Sequence, residues 1–240
     1  MKKTIFNLMV LVSGLSLVLL SSCRFGGVRG SGNVITETRK VGDFSKIDIS
    51  GAYKVNLKQD SSSSIIISAD DNLLKYIKTE INGDKLRIYS KKNLRPRGDL
   101  TITIGVKSLK AIETSGAVEV SSDGKITVQD LKFDLSGETK ITMDMNAANV
   151  ITEGSGATHI NLTGQASSHR VDLSGASKIN ALDFVVGDYT IETSGLSKCE
   201  INVLNSLNIH SSGASTVRYR GNPKTVNNDK SGASSVEKID

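Results

Sequence analysis

Aromatic residues are scarce in this sequence. Its 240 residues contain no Trp, five Tyr and five Phe. A surface that stacks sugar rings or unpaired bases needs several exposed aromatic side chains, so such a platform is not expected here. Charge also argues against a nucleic-acid partner, because 30 basic and 25 acidic residues leave a mild, scattered positive excess and not a dense basic stripe.

Cysteine and histidine are rare too, with two Cys and three His. No metal-ligand spacing, nucleophile elbow, phosphate loop or dinucleotide fingerprint is present. The sequence therefore predicts no metal, no cofactor and no catalytic residue. A disulfide framework is not expected either. Cys23 lies in a predicted lipidation motif, and a lipid on it would leave Cys199 without a partner.

The first residues have the pattern of an export signal. Lys2 and Lys3 precede an apolar run from Ile5 to Leu20, which is short for a membrane span. Leu20-Ser21-Ser22-Cys23 then resembles a bacterial lipobox. That resemblance implies a signal peptide at 1–22, a lipid on Cys23 and a membrane partner reached through its acyl chains. The alternative is an ordinary signal followed by a chance cysteine.

Two further expectations concern the N-terminus that cleavage before Cys23 would create. Gly26, Gly27, Gly30 and Gly32 make residues 23–33 a flexible, lipidated tether. Arg24, directly after the cysteine, favours the outer membrane over the inner one by the sorting pattern of such lipoproteins. The periplasmic or outward orientation stays open.

A repeated Ser-Gly dipeptide predicts the fold. The steps between its later copies are 21, 19, 19, 20, 18 and 19 residues, and Ala follows the glycine in six of eight copies. Apolar residues alternate with polar ones on both sides, which is strand periodicity, so each Ser-Gly-Ala is predicted to be a corner with Ala inside the bend. The glycines are Gly51, Gly116, Gly137, Gly156, Gly175, Gly195, Gly213 and Gly232.

Stacked corners of this kind predict an all-β, right-handed parallel β-helix, or solenoid, with coils of about 19 residues. Four residues after each glycine stands a small or medium apolar residue, such as Ile141, Ile160 or Ile179, and these should form one buried column. Cys199 occupies this column and is predicted to be a buried small hydrophobe. The regular coils cover 111–240.

Residues 34–110 are predicted to be a less regular β region continuous with the coils. Ile65, Ile66 and Ile67 should form a buried strand, and residues 72–80 a short helix or turn capped by Asn72. The polar segment KKNLRPRGD at 91–99 is predicted to be a loop between two strands.

Two charged columns should flank the corners. Acids stand three residues before seven of the eight glycines, and Lys stands three residues after four of them. Both positions should face solvent. We call them the acid column and the basic column. Their members considered as a ligand surface are Asp134, Glu153, Asp172, Glu192, Lys140, Lys178 and Lys198.

Three interpretations of these columns stay open. They form solvated faces in which the basic column offsets repulsion within the acid column. They bind a ligand, either cations on the carboxylates or a charged glycan. Neighbouring acids such as Asp134 and Glu153 act as a glycosidase pair, which needs carboxyl groups about 5 Å apart, although a uniform row does not distinguish an acid from a nucleophile.

The chain also resembles a known family. The segments GSGNVITETRKVGDFSKIDISGAYKVNLKQ and IIISADDNLLKYIKTEINGDKLRIYS, followed by serial SGA corners, are similar to the head GIN domain family of putative auto-transporter adhesins, over roughly residues 30–224. The resemblance implies a β-helix-like fold and carries no active site. The expected function is a non-enzymatic, lipid-anchored adhesin or interaction module of the cell envelope, with a glycan or protein ligand. The alternatives are a polysaccharide-active lyase or glycosidase-like enzyme, and an envelope sensor or scaffold.

Overall fold

The computed structural model of the protein describes residues 26–240. The predictions of a signal peptide at 1–22 and of a lipid on Cys23 lie outside the described residues. Within 26–240, no helix has the length and apolar character needed to cross a membrane.

Almost every element is a strand. The N-terminal part contains one short helix and eight strands: β1 Val28–Arg29, β2 Val34–Lys40, β3 Lys46–Gln59, β4 Ser64–Asp70, α1 Asp71–Leu74, β5 Ile77–Asn82, β6 Lys85–Ser90, β7 Leu94–Arg95 and β8 Thr101–Val106. The repeats supply seven more: β9 Ala111–Thr127, β10 Asp130–Leu135, β11 Glu138–Gly154, β12 Ala157–Ser211, β13 Thr216–Arg220, β14 Thr225–Lys230 and β15 Ser235–Lys238.

Most of these strands pair in parallel. β3, β9, β10, β11, β12, β13 and β15 follow one another through a 13-stranded sheet, and each pairing in this series is parallel. Antiparallel pairing is confined to β2–β4, β4–β8 and β5–β6 within residues 26–240. β1 and β7 form a separate two-stranded parallel sheet.

The repeated glycines lie in one file, as predicted. Ser50, Gly51 and Ala52 pair residue for residue with Ser115, Gly116 and Ala117. A Cβ on Gly156 would lie 2.5 Å from the carbonyl oxygen of Gly137, and one on Gly175 would lie 2.5 Å from that of Gly156. The same approach continues through Gly195, Gly213 and Gly232. A side chain does not fit between successive coils, which we call rungs, so the corner has to be glycine.

The apolar columns fill the interior between the strands. Ile141, Ile160 and Ile179 are fully buried, and a single apolar core runs from Phe44 to Val217. Cys199 pairs with Val217 in the same column. It is buried as predicted, and burial raises the pKa of its thiol to about 12. A thiol in this state is a packing residue and not a nucleophile.

The spatial order of the first rungs differs from their order in the chain. β3 pairs with β9 on one side and with β6 and β8 on the other. The first parallel rung in space is therefore made of β6 and β8, whose other edges pair antiparallel with β5 and β4. Residues 91–100 span the place where later rungs have Ser-Gly-Ala. We call this segment the 91–100 loop. It contains β7, a strand within a segment predicted to be a loop.

Four local predictions need correction. The helix is α1 with Asp70 at its N-cap, not a segment capped by Asn72, and residues 77–82 form β5 instead. Ile66 is 39% exposed, because β4 alternates between an inner and an outer face. Residues 28–33 are not a flexible tether: β1 pairs with β7, and the Ser31 amide donates to Asn72 Oδ1 at 2.9 Å. The corner alanines lie outside the bend, for the reason given next.

Candidate functional site

A groove of 630 Å³ runs along the alanine side of the glycine file. We call it the alanine groove. Its floor is formed by methyl groups on successive rungs, with Glu138 replacing alanine on one of them. The floor alanines are Ala52, Ala117, Ala157 and Ala176. All four are exposed, so alanine at this position keeps the groove open and does not fill the corner.

The residue after each alanine takes the inner position. Six of the eight copies carry Ser or Thr there, and Thr139 and Ser215 each donate at 3.2 Å to the carbonyl of the serine before the glycine. In these copies the hydroxyl closes the corner from within, whereas the hydroxyls of Thr158, Ser177 and Ser197 are buried without a hydrogen-bond partner among the described residues. Sequence reasoning missed it, although the recurrence of Ser or Thr two residues after the glycine was a readable signal.

The basic column lines one side of the groove. Lys54, Lys140 and Lys178 lie there in a row with Glu119 and His159. Lys54 Nζ lies 2.8 Å from Asp99 Oδ2, and Lys140 Nζ lies 2.6 Å from Glu119 Oε1. Neither Lys178 nor Glu138 forms an ion pair with any described residue, so the groove presents one unpaired cation and one unpaired anion.

Lys198, the remaining ligand candidate of this column, lies outside the groove lining. Its Nζ pairs with Glu200 Oε1 at 3.0 Å. Two of the three predicted lysines are therefore brought together in the groove, and the third is not.

One end of the groove is closed by the 91–100 loop, which contributes Pro96, Gly98, Asp99 and Leu100. Tyr53 lies buried beneath this end, where desolvation raises its pKa to about 12. No repeat pattern in the sequence indicated that this loop would border the floor of later rungs.

Each corner joins two strand segments, which we call its arms. The acid column lies on the arm that precedes the glycine, and the basic column on the arm that follows it. Asp134 and Glu153 pair in register on adjacent strands and are both exposed. Glu153 is compensated by Lys132 at 2.8 Å, and Glu192 by Arg170 at 2.8 Å. Across residues 26–240, no ion pair joins the acid column to the basic column. Glu153 and Glu192 therefore pair with cations on their own arm, and the two columns do not compensate each other through direct ion pairs.

Asp172 and Glu192 border a second, smaller groove of 340 Å³ together with His210 and Asp229. In the part of the chain that the structure covers, no three His, Cys, Asp or Glu side chains are placed to hold a metal ion. The acid column is a row of exposed and half-buried carboxylates on the protein surface, without the contrast between two environments that acid–base catalysis requires.

Comparison with known proteins places these features in context. The family model described as "Putative auto-transporter adhesin, head GIN domain" matches residues 43–223. No curated protein sequence matches the chain. A putative adhesin from Bacteroides fragilis is similar in structure, with a TM-score of 0.83 at 20% identity over 89% of this chain and 100% of that one.

Two other crystal structures are also similar. A putative adhesin from Parabacteroides merdae aligns with a TM-score of 0.69 at 21% identity, over 89% of this chain and 99% of that one. A putative lipid binding protein from Parabacteroides distasonis aligns with a TM-score of 0.66 at 21% identity, over the same shares. These likenesses establish the shared all-β, largely parallel fold.

Proposed function

Because the chain belongs to the head GIN domain family of putative auto-transporter adhesins, we propose that it is a lipid-anchored, non-enzymatic adhesin of the cell envelope that holds its ligand in the alanine groove. The observation that carries this proposal is the groove itself, whose methyl floor spans several stacked rungs and ends at an unpaired Lys178.

The scaffold in this proposal is a right-handed β-solenoid. Residue-for-residue parallel pairing of successive repeats supports it, as does the glycine file. The right hand follows from the strong preference of parallel crossovers for that hand. A solenoid places equivalent side chains at regular spacing on a rigid surface, which suits contact with an extended partner.

The anchor in this proposal is the lipid on Cys23. The apolar run and lipobox of the sequence support it, and β1 enters the fold beside the 91–100 loop, at the closed end of the groove. The groove would then begin near the membrane and extend away from it, with its length available to a partner.

Three features of the groove favour binding without chemistry. Its volume falls within the roughly 300–1,000 Å³ of ligand sites. Its methyl floor stands on paired strands, so it is formed before any ligand arrives. Its charged groups are exposed, and the Lys54–Asp99 and Lys140–Glu119 pairs are already satisfied. These features support a recognition surface over the polysaccharide-active enzyme.

Blocking the groove tests the proposal. Ala157→Arg places a long side chain on the floor, and Ala214→Arg places the same side chain on the same alanine file outside the groove lining. Both positions are exposed, so both variants should fold with the melting temperature of the unmodified protein. On an array of glycans and matrix proteins, Ala157→Arg should lose at least about tenfold in affinity for whatever the parent binds, a loss of about 1.4 kcal/mol.

The matched variant decides the result. Ala214→Arg should keep the parent's affinity. Equal binding by both variants, or an equal loss in both, would mean that the ligand does not lie in the groove. If the parent protein bound nothing on the array, the adhesin proposal itself would be contradicted.

A further inference from the structure

The strand pairing of β3 is interrupted at the first corner, Ser50-Gly51-Ala52. Its pairing with β6 ends at Ser50, and its pairing with β8 begins at Lys54. On the other side, the same stretch of β3 pairs in register with β9 throughout. Within the described fold, residues 51–53 therefore have no ladder partner on the side of the 91–100 loop, which takes the place of a strand there.

A crevice of 170 Å³ lies at this gap. We call it the loop crevice. β3 contributes residues 50–53 to its lining, and Ser90, Lys92, Asn93 and Leu94 complete it. The loop crevice adjoins the alanine groove, because Ala52 and Tyr53 line both.

Tyr53 distinguishes the first corner from all later ones. The other corners carry Ser, Thr or Val at the position two residues after the glycine. A Cβ on Gly137 would lie 2.5 Å from the carbonyl oxygen of the preceding corner. A Cβ on Gly51 would instead meet the Tyr53 ring, 2.5 Å from its Cε2 and 3.1 Å from its hydroxyl oxygen. The Tyr53 ring thus lies in the place that a preceding corner would take.

The hydroxyl of Tyr53 makes no hydrogen bond within the part of the chain that the structure covers, although the residue is only 4% exposed. A buried tyrosine normally places its hydroxyl against a donor or an acceptor. An unpartnered hydroxyl has lost its hydrogen bonds to water without replacement, which is unfavourable. A buried, unpartnered hydroxyl on a residue that lines a crevice indicates that a bound group supplies the missing partner.

The charge of the lining indicates what kind of group this is. Lys92 lines the loop crevice and forms no ion pair with any residue from 26 to 240, and none of the described lining residues is Asp or Glu. The Ser90 hydroxyl donates to the Lys92 carbonyl at 2.7 Å and accepts the Lys92 amide at 3.2 Å, which fixes the backbone that carries this cation. Asp48 accepts the Ser50 hydroxyl at 3.3 Å and pairs with Arg87 at 3.5 Å. The lining therefore combines an unpaired cation with an unpartnered hydroxyl, which suits an anionic acceptor.

We propose that the loop crevice binds a carboxylate, either a free small acid or the acidic sugar of a glycan. The Tyr53 hydroxyl donates to one carboxylate oxygen, and Lys92 supplies the opposite charge. A hydrogen bond to a charged acceptor is stronger than one to a neutral acceptor. At 170 Å³ the crevice is smaller than the roughly 300–1,000 Å³ of sites that enclose a drug-sized ligand, so it suits one functional group or one end of a larger molecule. This site goes beyond the alanine groove and holds independently of the groove's ligand.

The experiment uses the chain from residue 23 onwards with Cys23→Ser, which keeps the described apolar core from Phe44 to Val217. Saturation-transfer NMR of the methyl protons measures the affinity for acetate and for acetamide, its neutral counterpart, at one ionic strength. The test variants are Tyr53→Phe, which removes only the hydroxyl, and Lys92→Gln. The matched control is Tyr219→Phe on β13.

We expect acetate to bind more tightly than acetamide. Tyr53→Phe should bind acetate at least about tenfold more weakly and Lys92→Gln about threefold more weakly, while Tyr219→Phe binds as the parent does. Tyr53→Phe should not lower the melting temperature, because the hydroxyl that it removes has no partner in the unliganded fold.

Glucuronate, titrated in the same way through its ring protons, distinguishes the two sources of the carboxylate. A higher affinity for glucuronate than for acetate identifies an acidic glycan, and an equal affinity identifies the free acid. The assignment would be overturned if acetate did not bind, if acetate and acetamide bound equally, or if Tyr53→Phe kept the parent's affinity. A lower melting temperature of Tyr53→Phe would also overturn it, because the hydroxyl would then have a structural partner.

Discussion

Replacing Gly156 with alanine is expected to lower the free energy of unfolding by more than about 3 kcal/mol or to prevent folding. The backbone at Gly156 has a φ of +92°, a region that residues with a side chain rarely adopt. Its added Cβ would also lie 2.5 Å from the Gly137 carbonyl oxygen. That oxygen accepts the Ala157 amide at 2.9 Å, so it cannot move away without breaking the ladder.

Two other glycines separate the effect of the positive φ from that of the close contact with the carbonyl oxygen. Gly124 has a φ of +83° but nothing within 4 Å of an added Cβ, and Gly42 has neither a positive φ nor a close neighbour. Gly124→Ala should cost about 1–2 kcal/mol, and Gly42→Ala should be neutral or slightly stabilising. Urea titration of the three variants measures the order. If Gly156→Ala were no worse than Gly124→Ala, close packing between rungs at the glycine file would be refuted.

Acid is expected to destabilise the protein through a buried histidine. His169 lies in the core, with Nε2 2.9 Å from Thr152 Oγ1 and Nδ1 2.9 Å from the Tyr189 hydroxyl. Desolvation lowers its pKa from 6.5 to about 3. Below pH 6.5 the unfolded chain binds a proton that the folded protein does not. The contribution of His169 to the free energy of unfolding is therefore fully present above pH 6.5 and is lost as the pH falls toward 3.

The expected slope from this one group is about 1.4 kcal/mol per pH unit. His169→Gln keeps a hydrogen-bonding side chain without a titrating ring, so it should remove this slope between pH 6 and pH 4, even if it lowers stability at pH 7. His210→Gln is the control, because it removes an exposed histidine and keeps the buried ring of His169. Denaturation curves at several pH values give the comparison. A slope that survives in His169→Gln would mean that other groups cause the acid loss.

Repetition is the reason why so much of this fold is readable from the sequence. The burial of Ile141, Ile160 and Cys199 and the alignment of the glycines follow from equal offsets in each repeat, because stacked rungs superpose equivalent residues. Where the repeat is interrupted, the sequence predicts less of the strand pairing. The placement of β3 between β9 and the β6–β8 rung depends on pairing across a long insertion, and no local pattern encodes it.

The same distinction applies to the sites. Lys140 and Lys178 could be placed on one surface from their offsets alone. The wall of the groove at Leu100, and the contact of Ser31 with Asn72, depend on residues far apart in the chain. The prediction that the alanines lie inside the bend is wrong because the strand alternation continues through the corner: the residue after each alanine points inward, so the alanine points out.

The stacking of the corners can be tested most directly by cross-linking them. In the chain from residue 23 with Cys23→Ser, cysteines replace Ala157 and Ala176, which lie on adjacent rungs joined by the Ala176 amide to the Gly156 carbonyl at 2.9 Å. Adjacent rungs place the Cα atoms about 4.8 Å apart, within the range for a disulfide. The control pair, at positions 157 and 214, is three rungs apart, or about 14 Å. Mass spectrometry of the native protein after mild oxidation should show a disulfide in the first pair and none in the second. A disulfide in the control pair, or in neither, would contradict the stacked file on which the groove depends.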